Sequence, residues 1–180
     1  MKKILLLLLI STVIFAIGCA SSQEATTTGV SETGVSDSSV LDTVNPDFPD
    51  FYGDAGETLV PTGGQLVVAE SAVNDGNAHY YNVDIDGKPV FFFVVQSSDG
   101  SYRAAANACQ VCFGSNLGFR QEGDNMVCNT CGNEYPMAKI ATEKGGCNPG
   151  PINPDLEVVD GNVIIDMSDV EADDVVDLFI

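Results

Sequence analysis

The sequence predicts an all-β domain, and three observations carry that prediction. Asp-Gly pairs at 86–87, 99–100 and 160–161 separate short apolar or alternating segments, and two-residue β-hairpins favour this pair because the turn needs positive φ. The run PVFFFVV from Pro89 to Val95 is continuously apolar, as a strand covered on both faces must be. No apolar stripe of helical period crosses residues 63–167, the span assigned to the domain.

Residues 1–18 stand outside the fold. Lys2 and Lys3 form a charged leader, Ile4 to Ile17 an apolar run, and Ala16-Ile17-Gly18-Cys19 a small-residue cleavage site. This resembles the lipobox of bacterial lipoproteins, which implies a signal peptide over 1–18 and lipidation of Cys19. The alternative is an uncleaved anchor, for which the apolar run is short. Either way the remainder is expected on the extracytoplasmic face of the cell membrane. Residues 19–62 read as a flexible acidic tether, since 20–60 hold no Lys or Arg and few apolar side chains. Phe48, Phe51 and Tyr52 near its end are placed to dock on the domain.

Strands are expected over Leu66–Ala69 and over His79–Ile85, where HYYNVDI alternates. The apolar run follows the Asp86-Gly87 turn, and Tyr102 to Ala106 carries the chain to the first cysteine. Gly123-Asp124-Asn125 is a turn, and LEVVDGNVIID is a closing hairpin. Residues 168–180 read as an acidic tail that forms a short helix capped by Ser168.

The chain carries a formal charge of −19, and loss of residues 1–18 removes two of its seven basic residues and no acidic one. Phosphate backbones repel such a surface, which excludes nucleic-acid binding. Anionic lipid repels it too, leaving a lipid chain as the means of membrane attachment. The acidity serves solubility in one reading and steering toward a basic partner in the other.

Cys109 and Cys112 form one Cys-x2-Cys step, Cys128 and Cys131 another, with fifteen residues between them. Each step is a tight knuckle that aims two thiolates at one point, and two knuckles supply four sulfurs to an ion or cluster. With Cys19 set aside five thiols remain, and an odd number cannot pair off as disulfides within a monomer. Cys147, in a Gly-Gly-Cys-Asn-Pro turn, is read as apart from the knuckles, in one of three roles: an additional or replacement ligand, a redox partner, or a neighbour of the site. Gly132 and Gly114, just after the knuckles, would let backbone N–H groups point at sulfur. His79 reads as a packed or surface imidazole, and Met126 and Met137 as core. No phosphate loop, nucleophile elbow or Ser/His/Asp set appears, so electron transfer or metal binding is favoured over enzymatic catalysis.

The order of features resembles a Rieske-type domain: DGKPVFFF, DGSYRAAANAC, an EGD turn, MVCNTCGNEYPM, a glycine-rich stretch and VVDGNVII. That resemblance implies a small β-sandwich or barrel with two ligand loops. Both ligand histidines of a Rieske site are cysteines here, which removes the basis for the high potential of a His-ligated cluster. The runs ACQVC, GFRQEGDNMVCNTCG and GGCNP are similar to the FtrD-like membrane iron–sulfur proteins, across about Gln65 to Asp166. This implies an iron–sulfur cluster on Cys109, Cys112, Cys128 and Cys131, electron transfer linked to extracytoplasmic iron uptake, and a redox or iron-transport partner in the membrane. Zinc or a single iron remains open, because a Lys-Lys leader resembles one that threads unfolded chains. The competing functions are a zinc-stabilised interaction module and a dithiol–disulfide carrier using Cys147.

Overall fold

The computed structural model describes residues 45–179. The stretches expected to be a signal peptide and the first part of a tether, with Cys19, lie outside the described residues. The strands are β1 (Glu57–Thr58), β2 (Gln65–Ala69), β3 (His79–Ile85), β4 (Lys88–Gln96), β5 (Tyr102–Cys109), β6 (Phe119–Glu122), β7 (Asn125–Cys128), β8 (Glu134–Pro136), β9 (Pro149–Val159) and β10 (Asn162–Asp166). Seven form a curled sheet in the order β1-β3-β4-β5-β9-β10-β2, and β6-β7-β8 form a second, small sheet. The all-β expectation holds.

Local chemistry explains the hairpins. Asp86 and Gly87 both take positive φ (53° and 81°), as do Asp160 and Gly161 (50° and 75°), which turns β3 into β4 and β9 into β10. At the centre of the large sheet, β4 and β5 are buried on both faces. Phe92, Val94, Ala104 and Ala106 enter a core closed by Leu66, Val83, Val163 and Ile165. Phe93, Val95 and Ala105 face the other way, onto Phe119, Met126, Met137 and Ile140 of the small-sheet region. The apolar run in β4 therefore serves two cores at once, and the alanines of β5 leave room for both.

Three expectations need correction. Part of the stretch assigned to the tether is built into the domain. Phe51 stacks on Phe91 with ring centroids 3.9 Å apart, Phe48 meets Phe91 edge-on, and β1 pairs in parallel with β3. Two aromatic residues, Phe48 and Phe51, outweigh the polar composition around them, while Tyr52, also expected to dock, stays exposed.

The acidic tail is also part of the fold. It forms α1 (Met167–Val170), α2 (Asp173–Val176) and a 3-10 turn over Asp177–Phe179. Asp166, not Ser168, occupies the cap position of α1. Met167, Val170, Val175 and Leu178 are buried in the main core, so packing overrides the acidic composition. Finally, β1, β6, β7 and β8 carry no strand signal in the sequence, being two to four residues long.

Candidate metal centre

Alternation along β5 aims its odd-numbered residues at the small sheet. Ala105 packs there, buried Asn107 follows, and Cys109 ends the strand. The second knuckle grows from β7, which terminates at Cys128 and lies beside β6 with Phe119 opposite Cys128. Both knuckles thus emerge at one end of the molecule.

The second knuckle is closed by its own backbone, while in the first the Cys112 N–H donates to the Cys109 sulfur at 3.4 Å. The Gly132 N–H donates to the Cys128 carbonyl at 2.9 Å, and the Cys128 N–H to the Asn133 carbonyl at 2.9 Å. Gly132 sits at φ 73°, a conformation open to glycine at little cost, but its own N–H points at the Cys128 carbonyl and not, as expected, at sulfur. Gly114 does not repeat this. It lies in the 3-10 turn Phe113–Ser115, and the left-handed residue of that loop is Asn116, at φ 56°.

The knuckles are tied to each other by side chains that the cysteine spacing does not reveal. Asn107 accepts a bond from the Phe119 N–H (2.7 Å) and donates to the Asp54 carbonyl (2.8 Å). It thereby fastens β5 to both β6 and the N-terminal strap. Asn129, between the second pair of cysteines, donates to the Leu117 carbonyl at 2.8 Å. Beside it Thr130 and Ser115 share a hydroxyl hydrogen bond of 2.5 Å across the two loops. The signals for these roles were an asparagine in the alanine-rich strand and the polar pair inside Cys-Asn-Thr-Cys.

The sulfurs fall into two triads. Those of Cys109, Cys112 and Cys147 lie within 4.8 Å of one another, and so do those of Cys112, Cys128 and Cys131. Cys112 belongs to both. Cys147 is therefore not apart from the knuckles. Strand pairing explains its position: β5 and β9 run antiparallel with Cys109 opposite Pro149, and the Gln110 N–H continues the ladder to the Asn148 carbonyl at 3.0 Å. Register shifts along this pair are irregularities of the kind that re-aim a strand end.

Burial grades the set. Cys109 and Cys128 are buried, Cys112 and Cys147 half-buried, and Cys131 exposed. Val111 and Phe113 flank Cys112 as large exposed apolar side chains, 61% and 39% accessible. Desolvation raises the Cys109 thiol above its ordinary range, opposed by N–H bonds from Val111 and Cys112. The Cys112 thiol is pushed up to about 12, by desolvation first and then by Cys109 and Cys131. Cys131 is lowered, chiefly by the Asn133 N–H. Amide donors therefore reach sulfur in both knuckles, an arrangement that stabilises thiolate and a negatively charged centre.

This donor set fits a thiophilic ion or an iron–sulfur cluster: five sulfurs converge, and backbone donors already point at two of them. Among the described residues, no histidine joins either triad. His79 is held by Asp75, Nε2 to Oδ1 at 2.8 Å. Met126 and Met137 are buried in the apolar cluster, as expected.

The model of a family described as "Membrane iron-sulfur containing protein FtrD-like" matches residues 73–176. No curated protein matches the chain. Among the described residues, no helix is long and apolar enough to cross a membrane.

Proposed function

The chain belongs to the FtrD-like family of membrane iron–sulfur proteins, and on that premise we propose that it transfers single electrons at a cysteine-ligated centre, in the service of iron uptake. Cys109, Cys112, Cys128 and Cys131 hold the centre. The observation that carries this reading is the graded convergence of sulfur at one end of the fold: Cys109 and Cys128 deep, Cys112 and Cys131 toward solvent. Bound there, an iron–sulfur cluster supplies a one-electron couple. The protein's own part is to fix the thiolates, donate N–H bonds to them and keep water from the inner pair. Val111 and Phe113 give the outer edge an apolar rim against which a redox partner can seat.

Anaerobic preparation with iron and sulfide tests the reading. The protein should be brown, bleach with dithionite, and contain iron together with acid-labile sulfide. Colourless protein with one zinc per chain would replace electron transfer by a zinc-stabilised interaction module, because d10 zinc is redox-silent. Iron without labile sulfide would keep electron transfer and remove the cluster.

Attachment to the extracytoplasmic face through lipidated Cys19 belongs to the same proposal. What supports it is the cleavage-site sequence and the family's description as membrane proteins. Cys19→Ser should release the domain from membranes or leave unprocessed precursor. Normal processing with full membrane retention would refute it.

A further inference from the structure

We propose that in the chain that carries no cluster Cys109, Cys112 and Cys147 form a three-coordinate site for a soft d10 ion of the cuprous class, sharing Cys112 with the thiolates of the second knuckle. This occupancy is an alternative to the four-cysteine centre, because Cys109 and Cys112 serve both. Three sulfurs bonded to a central ion at about 2.3 Å stand about 4 Å apart. The three sulfurs here lie within 4.8 Å of one another, so small side-chain rotations close the triangle.

The loop that brings Cys147 is held in place by hydrogen bonds to the first knuckle and within itself. The Gln110 N–H donates to the Asn148 carbonyl (3.0 Å), and the Gly145 N–H to the Gln110 side-chain oxygen (2.6 Å). Within the loop, the Asn148 side chain donates to the Gly145 carbonyl (2.8 Å). Gly145 and Gly146, at φ 90° and 64°, make the turn, and a Cβ on either would meet nothing within 4 Å. They are glycines for the bend and not for close packing. The Cys109 thiol also donates to the Cys147 carbonyl at 3.2 Å, which puts the two segments in direct contact. Binding then needs little ordering of the chain, which favours affinity.

The ion class follows from the donors. Thiolates select soft ions, and zinc in closed structural sites takes four ligands where this triad offers three. Cys112 and Cys147 are half-buried, so an ion can enter from solvent, and binding releases the thiol protons. The remaining two thiols, Cys128 and Cys131, complete the other triad through the shared Cys112 sulfur. Without a cluster, the five sulfurs can thus carry two cuprous ions through one bridging thiolate.

The test is an anaerobic titration of the full chain, prepared free of iron and sulfide, with cuprous ion against a chromophoric cuprous chelator. Every sample carries Cys19→Ser, so that only the five domain thiols compete. The parent should take up two ions per chain, and Cys147→Ser should take up one. A parent that binds a single ion, or a Cys147→Ser variant that binds two, overturns the proposal. A second measurement needs no change in the loop. Cys147 in the ion-loaded parent should react with iodoacetamide at least tenfold more slowly than in the ion-free parent, read by mass spectrometry. An unchanged rate overturns the proposal as well. The iron–sulfur reading fails separately, by absence of colour and labile sulfide after reconstitution, and the cuprous stoichiometry does not depend on it.

Discussion

Cys128→Ser should leave the domain without stoichiometric iron and sulfide and should lower its stability whenever metal is present. Cys128 is the most deeply placed of the five thiols, 1% accessible at the end of β7. Its backbone carries both hydrogen bonds that close the second knuckle, and its sulfur joins Cys112 and Cys131 in one triad. Serine keeps the backbone bonds but offers a hard, poorly acidic oxygen where a soft thiolate is needed. A ligand that binds only the folded chain stabilises it by about 4 kcal/mol when present at a thousandfold over its Kd, and this linkage is what the variant loses. Iron content and thermal unfolding, each measured with and without chelator, check the prediction. Wild type should fall on chelation to the level of the variant, and the variant should not respond. Full metal content in Cys128→Ser would remove Cys128 from the ligand set.

The second large effect lies far from sulfur in sequence, at Gly56. This residue sits at φ 63°, and a Cβ there would stand 1.9 Å from the Tyr80 carbonyl oxygen and 2.0 Å from its carbon. Both atoms are backbone in the interior of β3, so no side-chain rotation relieves the overlap. Gly56→Ala combines that clash with the left-handed penalty of about 1–2 kcal/mol for a residue bearing a Cβ. The expected loss is about 3 kcal/mol or more, within the range set by backbone strain and overpacking.

The damage should spread along the strap. Asn82 receives the Thr58 hydroxyl at 2.9 Å and donates to the Ala55 carbonyl at 2.9 Å, while Asp54 accepts from Asn107 beside the first knuckle. Displacing residues 54–58 therefore uncovers Phe91 and removes a partner from Asn107, two positions before Cys109. Urea denaturation measures the stability loss. Amide exchange at Leu59, whose N–H donates to the Asn82 carbonyl at 2.8 Å, reports whether the strap detaches first. A change within about 0.5 kcal/mol of wild type, the range of inert surface substitutions, would refute the packing argument.

Cys128 and Gly56 also mark how differently the two kinds of information enter the fold. Cys128 could be identified from spacing, because a Cys-x2-Cys knuckle is local chemistry closed within four residues. The same holds for the Asp86-Gly87 and Asp160-Gly161 turns, whose positive φ is a property of the dipeptide, and for β3, whose alternation gave both its ends. Phe48 and Phe51 were legible as docking residues because aromatic side chains in a polar stretch need cover, but where they dock was not. Gly56 looked like one more linker glycine, since its requirement comes from Tyr80, a residue on another strand.

By itself the sequence determined the all-β class, the hairpins with Asp-Gly turns, the double-sided burial of β4 and the four knuckle thiols. Each of these rests on neighbours in the chain. Tertiary structure alone decided the rest. The acidic C-terminal segment folds onto the core because Val170, Val175 and Leu178 find apolar partners on the sheet, which its charge count cannot show. The N-terminal strap joins because Phe91 presents a ring to Phe51 and β3 an edge to β1. Cys147 enters the sulfur cluster because β9 pairs with β5 and sets Pro149 opposite Cys109, a register established across 40 residues by strand hydrogen bonds and by cores on both faces of β5. Spacing identifies which thiols share a knuckle, and only the pairing of distant strands brings the fifth into reach.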